Sequence, residues 1–439
     1  MRRNLSILAI GFTMSALLSG QAAHETLTLK DALALAEKND PQLLAAFYDA
    51  KIAQEDRVQA RAALLPSLSG RSEYLGTQGN GKLPSGRFVT NDGVHVYREW
   101  AVVHQDLSPG TFTRIGVARA AAAEAIARAK VEIARRGLAA TVTKAYYTLL
   151  AAQRKYATAQ QAVDQARHVL TISQELERGG EAAHSDVVKS QLQENAQQQA
   201  FADAKLAMDT ARLDLAVLLF RDFDQNFSIV DDLDQAAALP AFEEAQNMAA
   251  RENPTLRAAI ESARAARIDV NVARQAYLPT LTVDGVYGIE ANAFALHSTV
   301  AAAKQDGPLP NLGYFVTASL NIPVWDWGAR RSKVRQAEIR QDQAQTELTA
   351  SQRVAIRNLN GFYEEARTAR QQTGLLRSAV ELASESLRLN TLRYQAGEAT
   401  ILELVDAQAA LVQARNAYDD GMIRYRLAIA NLQTLTGNF

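Results

Sequence analysis

A long stretch of this chain occurs twice. ARAALLPSLS, starting at Ala60, returns as ARQAYLPTLT, starting at Ala273, 213 positions later. With Pro41 set on Pro254, 28 positions align without a gap through Leu68 and Leu281, and 13 of them are identical. The likeness resumes downstream, where ERGGEAAHSDVVKSQ from Glu177 resembles YQAGEATILELVDAQ from Tyr394 at a shift of 217. Two tandem copies of one large unit account for this spacing, and short solenoid repeats do not. Whatever one copy folds into, the other must fold into as well.

Each copy has the same order of elements. The first is placed at 24–220 and the second at 242–439, with a connecting segment at 221–241. A medium helix opens each copy (31–64, then 242–277). Leu-Pro ends it, because proline cannot continue a helix and disfavours one just upstream. Two strands follow (67–78 and 98–107, then 281–290 and 314–322). A very long helix comes next (114–178, then 330–395). Glycine turns reverse the chain at Gly179-Gly180 and at Gly397, and a return helix closes each copy (185–220, then 400–435). At ~1.5 Å per residue each long helix would reach roughly 100 Å, far beyond a globular helix. The pattern predicts two long antiparallel hairpins per chain. The composition agrees, since 23 Gly and 10 Pro are few for 439 residues.

The first residues have the form of an export signal over 1–23. Arg2 and Arg3 give a positive start, the run from Leu5 to Leu18 is apolar, and Gly20-Gln21-Ala22 offers a small-x-small cleavage site. No later run approaches the ~20 apolar residues of a spanning helix. An exported chain of this kind is either soluble or crosses a membrane as a closed β-barrel. Cysteine is absent, which excludes disulfides and thiolate metal sites. Charge is balanced, 47 basic against 48 acidic residues, so no nucleic-acid partner is expected.

The strands alternate. Leu281, Val283, Gly285, Tyr287 and Ile289 fall on one face, with Thr282, Asp284 and Glu290 on the other. Tyr314, Val316, Ala318, Leu320 and Ile322 alternate with Thr317, Ser319 and Asn321. About ten residues of this pattern match a membrane barrel strand, apolar outward and polar inward. Trp325 and Trp327 follow where interfacial aromatics would sit. The first copy is weaker: Leu68 and Tyr74 alternate with Ser69, Arg71 and Glu73, but REWAVVHQDL from Arg98 alternates poorly. An ordinary sandwich strand has the same pattern. Four strands cannot close a barrel, so a membrane reading needs several chains.

The last helix carries a heptad of large residues, Leu404, Leu411, Tyr418, Tyr425 and Leu432. Ala407, Ala414, Gly421, Ala428 and Leu435 follow each by three. The matching helix of the first copy has Val187, Glu194, Phe201, Met208 and Leu215, followed by Ser190, Gln197, Ala204, Ala211 and Leu218. A narrow seam with polar flanks suits helices set side by side around water, and equally a soluble coiled coil.

Taken together, the duplicated LPSLS-type segment, IPVWDWGARR from Ile322, its worn copy LSPGTFTR from Leu107, and YQAGEATILELVDAQ resemble the TolC family of outer-membrane efflux and type I secretion ducts, over essentially the whole mature length. The resemblance implies a mainly α fold with a membrane β-barrel. It implies a homotrimer, with a trimeric α-helical barrel and a 12-stranded β-barrel built from four strands per protomer. It implies a periplasmic adaptor (membrane fusion) protein, an inner-membrane pump of RND, ABC or MFS type, and outer-membrane lipid as partners, with no cofactor.

By the same resemblance, Ser185, Asp186 and Tyr394 fall on the periplasmic gate. Ala399 stands where some members have a gate arginine, so Asp186 lacks one expected charged partner and a tyrosine–aspartate contact is left to hold the tip unless another cation substitutes. Glu403 and Asp406 match an acidic ring at the tunnel entrance. Gly179, Gly180, Ala182, Gly397, Glu398 and Ala399 would receive the adaptor's helical tips. The residues also have simpler readings. Thr400-x-x-Glu403 is a capping box, and Asp186 sits in a first turn where a helix dipole favours a carboxylate.

No catalytic motif stands out. The six histidines are scattered, with no ligand spacing, no phosphate-cradling loop and no nucleophile elbow. A passive exit duct gated at its helical tip is expected. The alternative is a soluble periplasmic coiled-coil adaptor or scaffold, although the biotin- or lipoyl-like sandwich that adaptors carry is not seen.

Overall fold

A computed structural model describes residues 25–77, 94–222, 226–235, 238–291, 294–301 and 308–437. The export signal lies outside them. In the first copy the elements are β1 (Glu25–Leu27), α1 (Leu29–Asn39), α2 (Pro41–Ala62), β2 (Ser67–Thr77), β3 (Val94–Asp106), α3 (Pro109–Phe112), α4 (Ile115–Gly179) and α5 (His184–Leu219). After β4 (Phe227–Ile229), the second copy supplies α6 (Phe242–Glu252), α7 (Pro254–Gln275), β5 (Thr280–Ala291), β6 (His297–Ala301), β7 (Pro308–Pro310), β8 (Leu312–Asn321), α8 (Ala329–Gln395) and α9 (Ile401–Thr436).

The medium helix expected in each copy is two helices. Asp40 and Asn253 adopt extended backbone angles and cap the helix that follows. The Asp40 carboxylate accepts from Leu43 N at 2.6 Å, and Asn253 Oδ1 accepts from Thr255 N at 3.0 Å and Leu256 N at 3.2 Å. Pro41 and Pro254 occupy first helical positions, where the missing N–H costs nothing but continuation from upstream is blocked.

The strand-to-helix junctions are also duplicated. Arg114 and Trp327 take left-handed backbone angles, φ 52° and 54°, just before α4 and α8. These 213-spaced positions are the only non-glycine residues with positive φ among the described residues. Just before the second, Asp326 anchors the start of α8, accepting from Gly328 N at 3.1 Å and Arg330 N at 2.8 Å and pairing with the Arg330 guanidinium at 3.0 Å.

The chain divides into two compact units, and neither coincides with one copy of the repeat. The first takes the described residues within Met1–Asn39, Val142–Ala236 and Thr373–Ile423. It holds both glycine turns and the parallel pair of β1 with β4. Its apolar centre near the turns is Val169, Ile172, Leu387, Tyr394, Ile401, Leu404, Ala407 and Leu411. The α9 heptad seam supplies three of these residues, so the narrow stripe is a packing face.

The second unit takes Asp40–Thr141, Ala237–Gln372 and the described residues from Arg424 onward. It contains an antiparallel four-stranded sheet in the order β2-β3-β5-β8, a separate β6-β7 pair, and small cores in which Tyr425, Ala428, Leu432 and Leu435 continue the same seam. β3 begins at Val94, earlier than its alternation suggests, because Trp100 and Val102 stand on its polar face. The β6-β7 pair was not anticipated.

Candidate functional site

Two regions carry the residues singled out by sequence. The first is the pair of glycine turns. Gly180 (φ 78°) and Gly397 (φ 71°) end α4 and α8 in the same Schellman geometry. Glu181 N donates to Leu176 O at 2.8 Å and Gly180 N to Glu177 O at 3.0 Å; Glu398 N donates to Arg393 O at 2.8 Å and Gly397 N to Tyr394 O at 3.1 Å. The duplication thus reaches single hydrogen bonds. Gly179, Gly180, Gly397 and Glu398 are exposed, and Ala182 and Ala399 are half-buried.

The expected tyrosine–aspartate contact is not made within the chain. Tyr394 is buried, and its hydroxyl lies 2.8 Å from Ser173 Oγ, which lies 2.8 Å from Ser190 Oγ. Ser190 also back-bonds to Asp186 O at 2.9 Å. Asp186 has Lys189 at 3.8 Å, a cation on its own helix in place of the one missing at Ala399. Ser185 is exposed. Sequence reasoning missed Ser173; its only signal was a small polar residue nearly two turns from the helix end, on the face that packs.

The two carboxylates proposed for the entrance differ. Thr400 and Glu403 form the capping box, with Thr400 Oγ1 3.3 Å from Glu403 N and Glu403 Oε1 3.4 Å from Thr400 N. Glu403 also pairs with Arg393 at 3.3 Å. Asp406 is exposed and has no ion pair among the described residues.

Further along the same unit, Arg154 of α4 holds three carboxylates. Asp231 accepts bidentately at 2.7 Å, Asp234 accepts at 2.9 Å, and Asp419 of α9 accepts at 3.0 Å. Burial works against the Arg154 charge, but the carboxylates outweigh it and raise its pKa. Burial likewise opposes ionisation of Asp231, yet its hydrogen bonds to Arg154 hold it below the usual aspartate value. Asp419 goes the other way, pushed up by burial that Arg154 only partly offsets. The Tyr146 hydroxyl donates to Val230 O at 2.7 Å, so α4 grips the connecting segment twice.

The second region is the sheet. Paired residues in an antiparallel ladder share a face. One face carries Leu68, Val103, Leu281, Val283, Tyr287, Ile289, Leu312, Tyr314, Val316 and Leu320. From the Leu281–Leu320 pair to the Ile289–Leu312 pair, this apolar band runs about 27 Å along the strand. At a tilt near 40° that spans about 20 Å, close to a membrane barrel's apolar belt. Tyr74 and Tyr97 lie beyond one end, and the highly exposed Trp325 and Trp327 follow the other.

The opposite face carries Ser67, Arg71, Glu73, Arg98, His104, Asp284, Glu290, Thr317 and Ser319. Arg98 donates to Glu73 at 2.9 Å and to Glu290 at 3.1 Å, and His104 Nδ1 is 2.7 Å from Asp284. The exceptions explain the weak alternation of β3: Glu99 stands on the apolar face, hydrogen-bonded by Ser72, while Trp100 and Val102 stand on the polar one. No helix among the described residues is long and apolar enough to cross a membrane.

The outer membrane efflux protein sequence model (OEP) matches residues 32–219 and 245–438. The chain belongs to the outer membrane efflux protein family. As a family member it is an outer-membrane exit duct that works with other export components and is not an enzyme, which sets aside the soluble-scaffold alternative.

The chain is 25% identical to the outer membrane protein TolC of Vibrio cholerae over 410 residues, 92% of this chain and 89% of that protein. It is 24% identical to the outer membrane protein OprJ of Pseudomonas aeruginosa over 71% of this chain and 62% of that relative's length. Among solved structures, the outer membrane protein VceC of Vibrio cholerae superposes with a TM-score of 0.79 at 18% identity, covering 93% of this chain and 96% of that one.

Proposed function

We propose that three copies of this efflux protein close one 12-stranded barrel and one tunnel of twelve helices, with its periplasmic end at the glycine turns. The observation that carries this reading is the sheet, which is apolar on one face, polar on the other, and open at β2 and β8 among the described residues. Unpaired edges are not tolerated in lipid. Strands alternate in direction across the sheet, so β8 of one copy meets β2 of the next antiparallel, whatever the number of copies. Two copies would give eight strands, whose interior side chains fill; three give twelve and leave a passage.

In this reading the copies at 24–220 and 242–439 each supply one hairpin, and the segment at 221–241 belts the helices where Arg154 grips it. Ser185, Asp186, Tyr394 and Ala399 lie at the gate. Asp406 is the stronger ring carboxylate, because Arg393 already neutralises Glu403. Gly179, Gly180, Ala182, Gly397, Glu398 and Ala399 present the surface for a periplasmic adaptor, which brings an inner-membrane pump of RND, ABC or MFS type. Solute then passes without energy input from the duct itself.

The test is extraction. The protein is expected to resist carbonate washing and to run in mild detergent with the mass of three chains. Release as a monomer by carbonate would overturn the proposal.

A further inference from the structure

The polar face of the sheet contains an aromatic patch that neither helix packing nor barrel closure requires. Trp100 of β3 and Phe315 of β8 meet edge to face, ring centroids 5.7 Å apart, although β5 lies between their strands. They reach each other because Gly288 pairs with Trp100 on that intervening strand and has no side chain. The backbone enforces the gap: a Cβ at Gly288 would lie 2.0 Å from the carbonyl oxygen of Glu99. The Arg98 guanidinium covers the indole at 5.2 Å, and both its carboxylate partners, Glu73 and Glu290, are engaged in holding it.

Two groups remain uncommitted. Phe315 is 44% exposed. Arg71, directly opposite Trp100 on β2, is exposed and has no ion pair among the described residues. Opposite residues have Cβ atoms about 5 Å apart, so the Arg71 side chain leaves the sheet beside the indole and its guanidinium can reach a ligand lying on that ring. An aromatic shelf with one free fork of N–H donors at its edge is complementary to a planar ring that carries a carboxylate.

We propose that Arg71, Trp100 and Phe315 form a transit site for planar aromatic anions on the lumen wall of the barrel. The inference rests on the duct reading, in which this face lines the path of the solute and three such patches ring the passage. Trp100 lies six residues from the Asp106 end of β3, about 20 Å into the barrel from the helices. The site would bind weakly, as a passage requires, and would favour aromatic carboxylates over neutral molecules of the same shape.

The chain has three tryptophans, so replacing Trp325 and Trp327 by Phe leaves Trp100 as the sole reporter. In lipid nanodiscs its emission is expected to be quenched by aqueous acrylamide and not by brominated lipid chains. Energy transfer from Trp100 to 7-methoxycoumarin-4-acetate should saturate at roughly tenfold lower concentration than transfer to its uncharged primary amide, the difference expected for one charge-assisted contact. Arg71→Gln should abolish that preference, and Phe315→Leu should weaken both ligands alike. Equal affinity for acid and amide, or an unchanged preference in Arg71→Gln, would overturn the transit site while leaving the duct intact. Quenching by brominated lipid instead of acrylamide would overturn the lumen assignment itself, and the site with it.

Discussion

The hydroxyl of Tyr394, near the end of one long helix, lies 2.8 Å from the hydroxyl of Ser173, near the end of the other. Both side chains are buried, and Ser190 extends the chain of hydroxyls onto the return helix. The two hairpins of one protomer are therefore tied by uncharged groups just inside their tips.

Tyr394→Phe removes one hydrogen bond and keeps the ring. It should cost about 1 kcal/mol locally and raise the resting conductance of the channel in a planar bilayer. Ser173→Ala should give the same rise, and conductance unchanged in both variants would detach this contact from gating.

The carboxylates at the entrance should act unequally. Asp406→Asn is expected to lower cation preference, read as a shift in reversal potential under a salt gradient. Glu403→Gln should do less, because Arg393 already faces that carboxylate at 3.3 Å. Equal effects of the two variants would show that the Arg393 pair is broken in the open channel.

Arg154→Leu leaves Asp231, Asp234 and Asp419 clustered without their cation. A loss of about 3 kcal/mol is expected near neutral pH, the low end for a buried ion pair stripped of one partner, because Asp231 and Asp234 are partly exposed. The pH dependence has a definite sign. The lowered pKa of Asp231 gives the native protein stability that is full above the ordinary value of 3.8 and is lost as pH falls through the lowered value. In the variant, protonation relieves the repulsion instead, so its deficit should shrink on acidification. Thermal unfolding at several pH values measures both trends.

Gly288→Ala places a methyl group against the backbone of β3. The sheet should fail to form in register, and the protein should be lost from the outer membrane and from heat-resistant oligomers on gels. A normal oligomer would mean that β3 and β5 can part locally without cost to assembly.

Much of this architecture was legible in the chain. The 213-residue shift predicts paired elements, and it holds down to the matched left-handed residues Arg114 and Trp327 and the matched turns at Gly180 and Gly397. The apolar alternation of β5 and β8 predicts which way their side chains point. Other features were hidden for physical reasons. The breaks at Asp40-Pro41 and Asn253-Pro254 carry a clear capping signal, but a continuous Ala-rich pattern on both sides masked it. β3 was blurred because Trp100 and Glu99 occupy the faces opposite to their hydropathy, each compensated by a neighbour: Gly288 makes room for one, and Ser72 hydrogen-bonds the other. The Arg154 cluster joins positions up to 265 apart, and no local pattern marks such a set.

The central pairing of the sheet has a consequence for biogenesis. β3 comes from the first copy and β5 from the second, so neither half of the chain can finish a sheet of its own. After export, the β3 edge of the β2-β3 hairpin must stay open until β5, which ends at Ala291, has been made. During that interval the nascent protein is a strand seeking a neighbour, and it depends on whatever in the periplasm keeps such edges from finding the wrong one.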